Sequence, residues 1–408
     1  MKAVLKSGSF SNVSLTLGGS KSESNRLLIL QALFPNLSIE NLSTSDDTQV
    51  LTEGLKATNN VVDVHHAGTA MRFLTAYFAS KQGSEITLTG SQRMQERPIG
   101  ILVDALKSLG AEIEYLNNPG FPPLKIIGKK LENNTVKLKA NISSQYISAL
   151  ILIAPTLPNG LQIVLDGEIT SRPYLEMTLS LLQKLGVETE FAENTIYIPY
   201  TEQVDDATIA VESDWSSASY FYSLASLSSK SEIQLSHFFN NSLQGDSALV
   251  SIYKMLGVET QFVNSKSILI SKKDIVLPKT LSLDLVNTPD LAQTIAVSCF
   301  GLGLECRLTG LHTLKIKETD RLEALKTELE KLGGEVEIDS TSLHLFKSSR
   351  IISNQVIDTY QDHRMAMAFA PLSLKTNLTI NDAEVVSKSY PGFWKAIGKA
   401  GITVDLVY

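Results

Sequence analysis

Ala105-Leu106-Lys107-Ser108-Leu109-Gly110-Ala111-Glu112-Ile113-Glu114-Tyr115 joins the tail of a helix to an alternating strand through one glycine. The same order returns at Leu181-Leu182-Gln183-Lys184-Leu185-Gly186-Val187-Glu188-Thr189-Glu190-Phe191. It returns again around Gly257 and Gly333, and more weakly around Gly401. Glycine just past a helix suits the left-handed residue that ends it. The alternation that follows reads as a half-buried strand. These glycines lie 76, 71, 76 and 68 residues apart. One such pattern arises by chance in any α/β chain, but a series at near-equal spacing means internal duplication.

Each copy has the same prelude, a short strand that runs through a polar loop into the helix. The strands are expected at 37–42, 86–89, 162–165, 233–235, 306–308 and 378–380. The first belongs to a degraded copy whose helix lies near 50–56. Between copies lies a second helix, beginning near Ser24, Ala67, Ser143, Ser216, Asp290 and Asp362. Runs such as Ile147-Ser148-Ala149-Leu150-Ile151-Leu152-Ile153-Ala154 are apolar on almost every side. Helices of that kind are buried. The chain therefore reads as an α/β protein of six similar units, three in each of two similar halves.

Composition excludes several function classes. Hydrophobic residues make up 43% and charged residues 19%, a globular balance rather than a disordered one. Lys+Arg number 36 against 43 Asp+Glu, a net charge of -7. That is the wrong sign for a nucleic-acid binder or a membrane-surface protein. An anion would need a local cationic cluster set against the overall field. Cys299 and Cys306 form no zinc pattern and fit a reducing compartment. The N-terminus lacks the apolar core of a signal peptide, and no stretch is long enough to span a bilayer. A cytoplasmic, soluble protein is expected.

Cations gather at equivalent places in the repeat. Before the outer helices stand Arg93-Met94-Gln95-Glu96-Arg97-Pro98, Ser171-Arg172-Pro173-Tyr174, Lys315-Ile316-Lys317-Glu318-Thr319-Asp320-Arg321 and Val386-Ser387-Lys388-Ser389. At the heads of the buried helices stand Ser20-Lys21-Ser22 with Arg26, His66-Ala67-Gly68-Thr69 with Arg72, Ser143-Ser144-Gln145, Asp290, and Asp362-His363-Arg364. Helix N-termini offer free N–H donors, and Arg and Lys suit phosphate and carboxylate. Each motif also has a plain structural reading. Ser143-Ser144 and Asp290 could be N-caps, and Gly68-Thr69 could serve close helix packing. Pro98 suits the first turn of a helix, which would put Arg97 beside its end. Arg26 in an apolar helix is costly unless paired, which favours an anion. On one helix, Lys317 and Glu318 would both face Arg321. Two cations on one face repel unless an anion lies between them, which also favours a site.

Taken in order, Gly19-Ser20-Lys21-Ser22 with Asn25-Arg26, Ala67-Gly68-Thr69-Ala70-Met71-Arg72, Arg93-Met94-x-Glu96-Arg97-Pro98-Ile99, Ser143-Ser144-Gln145, Lys317-Glu318-Thr319-Asp320-Arg321 and Asp362-His363-Arg364-Met365-Ala366-Met367 resemble the 5-enolpyruvylshikimate-3-phosphate synthase family. The resemblance spans nearly the whole chain. It implies an α/β fold of two similar lobes, each of three βαβαββ units in an inside-out barrel. By analogy one lobe is residues 1–19 with 213–408 and the other is 20–212. It implies transfer of the enolpyruvyl group of phosphoenolpyruvate to the 5-hydroxyl of shikimate 3-phosphate, releasing phosphate. Lys21 would touch both substrates. Ser22, Arg26, Ser143, Ser144, Ser171, Tyr174 and Lys317 would hold shikimate 3-phosphate. Gly68, Arg97, Arg321, Arg364 and Lys388 would hold phosphoenolpyruvate, and Gln145 would reach both. Asp290 would accept the hydroxyl proton and Glu318 would protonate the enol carbon. The implied protein is a monomer with small-molecule partners only, without metal or cofactor, and a target of glyphosate.

Four positions depart from the family pattern. His66 replaces a usual Asn, Thr313 another Asn, Gly19 a frequent Pro, and Trp215 a small residue. The nearest rival is UDP-N-acetylglucosamine enolpyruvyl transferase, which normally carries a Cys or Asp on a loop near Arg93–Pro98. This chain has no Cys there. A non-catalytic binding protein for phosphorylated metabolites is the rival from another class.

Overall fold

A computed structural model describes residues 1–8, 12–57 and 59–408. The chain forms two compact units, Met1–Gly18 with Glu212–Tyr408, and Gly19–Val211. Within the described residues there are six sheets, five of four strands and one of two.

The four-stranded sheets share one plan. A parallel pair is followed by two antiparallel strands, and a helix joins the second strand of the pair to the outermost one. In the sheet Val61–Asp63, Glu85–Thr89, Leu124–Ile127 and Glu112–Tyr115, that helix is Gly100–Ser108. The plan recurs in Thr135–Lys139, Leu161–Asp166, Thr195–Ile198 and Glu190–Ala192 around Arg172–Lys184. In the other unit it is repeated by Val13–Thr16, Glu232–Ser236, Ser267–Lys272 and Val258–Asn264. It is repeated once more by Thr280–Asp284, Glu305–Thr309, Leu343–Leu345 and Val336–Ile338.

The remaining two sheets show how the repeat was adapted at the ends of the chain. Gln355–Ile357, Leu378–Ile380 and Thr403–Val407 need a third strand, and Lys2–Lys6 from the N-terminus supplies it. The degraded copy is Leu37–Glu40, which pairs in parallel with Ala207–Ala210 from the far end of its unit. Its helix, Asp46–Lys56, is longer than the sequence pattern indicates.

All five repeat glycines adopt positive φ, between 78° and 106°. The second helix of each copy is the buried one. In Gly68–Ser80 every residue from Gly68 to Ala79 is buried. Trp215–Leu227 is buried except at Ser216, and Ala292–Gly301 from Ala292 to Phe300. The hydroxyls of Thr75, Ser219, Ser226 and Ser298 bond back into their own helices, as Thr75 Oγ1 does to the Met71 carbonyl (2.6 Å). This satisfies polar groups in a core that offers few other partners. Trp215 is buried, stacks edge-on against Phe238 and donates its indole N–H to Glu212 (2.8 Å). Among the described residues no helix is long and apolar enough to cross a membrane.

Gly186 has φ 79° and open space where a Cβ would go. Gly186→Ala should therefore cost only the backbone penalty, about 1–2 kcal/mol. The check is a lower urea midpoint with unchanged slope and unchanged KM values.

Candidate active site

In the unit containing both termini, the site is built around one carboxylate. Pro289 opens the short turn Pro289–Leu291, and this turn sets Asp290 at the head of the buried helix Ala292–Gly301. Arg321 Nη1 reaches Asp290 Oδ1 at 2.8 Å, Arg364 Nη2 reaches Oδ2 at 3.0 Å, and Lys317 Nζ lies 3.7 Å away. Arg321 also holds Asp362 (2.6 Å) and Glu318 (2.8 Å), so one buried guanidinium serves three carboxylates. Asp362 in turn caps its helix by accepting from the Arg364 N–H (2.8 Å). Arg364 is thereby fixed at its backbone as well as its side chain.

Burial alone would raise the Asp290 pKa. Arg364, Lys317 and Arg321 outweigh it and hold the carboxyl far below the usual range. Burial pushes the Lys317 ammonium down, partly opposed by Asp290. Burial would also lower Arg321, but Asp362, Glu318 and Asp290 raise it.

The turn that delivers Asp362 is strained. Tyr360 and Gln361 both have positive φ (53° and 58°), unusual for non-glycine residues. The Tyr360 hydroxyl is anchored on Glu328 (2.6 Å), and Lys388 Nζ donates to the Gln361 carbonyl (2.7 Å). Lys388, mute in sequence, thus braces the turn that carries Asp362, His363 and Arg364.

The expected shared helix face does not form. Lys317 follows the turn His312–Ile316 in an extended conformation, and the helix begins only at Arg321 because Asp320 caps it. The anion between Lys317 and Arg321 is Asp290, an internal carboxylate. Asp290 is also not the cap of its helix, since it lies within the turn that precedes it.

The unit Gly19–Val211 holds its cations differently. Lys21 opens the helix Lys21–Leu33 and pairs with the buried Asp47 (3.1 Å). The His66 ring faces the same carboxylate at 3.8 Å. Arg26 is buried among neutral acceptors, namely Thr178 Oγ1 (2.7 Å), the Ser22 carbonyl (2.8 Å), Ser148 Oγ (3.0 Å) and the Tyr174 carbonyl (3.3 Å). Burial lowers its pKa to about 10. The partner inferred from the cost of burying Arg26 is therefore supplied in large part by the fold itself.

Gly68 is packed against Arg97, and a Cβ there would lie 2.6 Å from Arg97 Nη1. Pro98 is not in the first helical turn. The helix Gly100–Ser108 is preceded by Ile99, and the Pro98 carbonyl instead accepts from Arg72 (3.0 Å) and the Tyr146 hydroxyl (2.5 Å). That leaves Arg97 buried, whereas Arg93 is half exposed and pairs with Glu96 (3.3 Å). Ser143 caps Ser144–Ile153 by accepting from the Gln145 N–H (3.4 Å), and Gln145 Nε2 donates to Thr69 (3.1 Å). Ser171, buried with φ 55°, precedes Arg172–Lys184 without a side-chain capping bond.

Sequence reasoning missed Asp47, Asp246, Ser216, Ser148 and Thr178. Asp362 entered the sequence reading only as part of a motif. A buried Arg or Lys demands partners, but nothing local in the sequence says which distant residues provide them. Among the described residues no group of three or more His, Cys, Asp or Glu side chains is placed to hold a metal.

The sequence profile of EPSP synthase (3-phosphoshikimate 1-carboxyvinyltransferase) matches residues 52–397. The chain belongs to the EPSP synthase family. A 3-phosphoshikimate 1-carboxyvinyltransferase of Bacteroides fragilis (strain YCH46) is 46% identical over 410 residues, covering 100% of this chain and 99% of its own. That of Haemophilus influenzae is 36% identical over 431 residues, covering 94% and 95%. A solved EPSP synthase from Acinetobacter baumannii superposes with TM-score 0.77 at 20% identity over 99% of both chains, a likeness of fold.

Replacing Asp362 with Asn would leave Arg321 short of a buried charge partner. Losing one member of such a pair costs about 3–5 kcal/mol. Glu176→Gln, which breaks the exposed Arg172 pair, should leave the denaturation midpoint unchanged within error. Equal effects of the two changes in urea titrations would refute the distinction.

Proposed function

We propose that Asp290 and Glu318, coupled through Arg321, are the proton-handling pair of an enolpyruvyl transfer. The family's reaction, in the shikimate pathway, moves the enolpyruvyl group of phosphoenolpyruvate to the 5-hydroxyl of shikimate 3-phosphate. The observation that carries the residue assignment is the cluster itself, two carboxylates beside three cations that an anionic substrate could claim.

In this reading Glu318 protonates the enol carbon and positive charge develops on the adjacent carbon. The 5-hydroxyl attacks that carbon as Asp290 takes its proton. The carbon–oxygen bond to phosphate then breaks, the leaving phosphate taking the proton held by Asp290, and the methyl group returns a proton to Glu318 as the double bond re-forms. Arg321, Arg364 and Lys388 hold phosphoenolpyruvate and steady the departing phosphate. In the other unit Gly68 and Arg97 bind the same substrate. Ser22, Arg26, Ser143, Ser144, Ser171 and Tyr174 bind shikimate 3-phosphate, Lys317 lies beside it, and Lys21 and Gln145 touch both ligands.

Asp290 surrounded by three cations is a weak base. Substrate carboxylate and phosphate compete for those cations, so binding loosens their hold and raises the basicity of Asp290. The base is thus strengthened when its substrate is present. A cytoplasmic monomer acting on these two small molecules completes the reading.

Phosphate release by purified protein, with chelator and both substrates, should be fast with shikimate 3-phosphate and absent with UDP-N-acetylglucosamine. Glu318→Gln should lower kcat by about 10²-fold or more while shikimate 3-phosphate binding is retained. Full turnover in that variant would rule out Glu318 as the acid. Gly68→Ala should displace Arg97 and raise KM for phosphoenolpyruvate more than KM for shikimate 3-phosphate. Millimolar glyphosate should inhibit in competition with phosphoenolpyruvate.

A further inference from the structure

We propose that Asp246 is a positioning residue that acts through Ser216 on Arg364 and sets how strongly Arg364 engages an anionic substrate. The inference rests on the reading of Arg364 as a phosphoenolpyruvate ligand. Asp246 lies in the turn Gly245–Ala248 and is 4% exposed. Its Oδ2 receives a short hydrogen bond from Ser216 Oγ. Ser216 Oγ in turn accepts from Arg364 Nη2 (3.3 Å), the nitrogen that also binds Asp290 Oδ2 (3.0 Å). The donor order runs from Arg364 through Ser216 to Asp246. Arg364 is therefore held from two sides, by Asp290 directly and by Asp246 through one hydroxyl.

The other Asp246 oxygen, Oδ1, is buried and meets no donor among the described residues. A buried carboxylate with an unsatisfied oxygen is costly, and protonation there removes the cost. Burial raises the Asp246 pKa to about 7. The Asp290 and Asp214 carboxylates push the same way, while the Arg364 charge and the Ser216 bond oppose them. Among the described residues, Asp290, Asp214 and Arg364 are the charged groups that act on it. Below about pH 7 Asp246 is neutral and Arg364 is freer to meet an anion. Above it, the new carboxylate draws Ser216 and Arg364 back and adds negative charge near the site. Because the folded pKa is raised, ionisation also works against folding. The contribution of Asp246 to stability is greatest below the unfolded carboxyl range and declines as pH rises towards about 7.

The test is KM for phosphoenolpyruvate across pH for wild type, Asp246→Asn and Ser216→Ala. Substrate ionisation is common to all three, so ratios isolate the protein. The ratio of wild-type KM to Asp246→Asn KM should rise roughly three- to tenfold from about pH 6 to about pH 8. KM for shikimate 3-phosphate should show no such trend. Ser216→Ala keeps the carboxylate but cuts the relay, and should lose most of the rise even if Asp246→Asn folds poorly. A ratio flat with pH, or a Ser216→Ala profile matching wild type, overturns the proposal. If Arg364→Ala leaves KM for phosphoenolpyruvate unchanged, the assignment of Arg364 fails first and the relay loses its purpose with it.

Discussion

A guanidinium cannot be shed of its charge, and Arg321 is buried. That constraint organises the unit containing both termini. Asp290, Glu318 and Asp362 converge on Arg321 because an uncompensated buried cation is far more costly than the geometry needed to pair it. The strained Tyr360–Gln361 turn leads into Asp362, and Glu328 and Lys388 brace that turn. A packing requirement thus becomes a pre-assembled charge cluster. In the proposed reaction, substrate anions take over partners that are already in place.

The unit Gly19–Val211 meets the same requirement by other means. Arg26 is surrounded by hydroxyls and carbonyls, and Lys21 shares Asp47 with His66. The hydrogen-bond partners of Arg26 are neutral, and the carboxylate that acts on its charge is Glu23. The net charge of -7 therefore says little about ligands, because the decisive charges are local.

The repeat was legible in sequence because duplication preserved a local pattern, helix then glycine then alternating strand. Gly110, Gly186, Gly257, Gly333 and Gly401 all adopt the positive φ that the pattern implies. The pairing of Leu37–Glu40 with Ala207–Ala210, and of Lys2–Lys6 with Leu378–Ile380, was not legible. Pairing between distant segments leaves no local period. The cations of the site stood out for the same local reason, as charges at the heads of apolar helices. Their partners Asp47, Asp246 and Thr178 did not, since a lone polar residue carries no mark of what it faces. The extended conformation of Lys317 was missed because a spacing of four suggests a helix, whereas the Asp320 cap starts that helix only at Arg321.

The central claim is that Asp290, held ionised by Arg321, Arg364 and Lys317, becomes the base when substrate draws those cations away. Asp290→Asn tests it most directly, with kcat measured alongside shikimate 3-phosphate binding on protein whose circular dichroism matches wild type. The expected result is binding retained and kcat lower by about 10²–10⁴-fold. Turnover close to wild type would contradict the claim and leave the cluster a purely structural device.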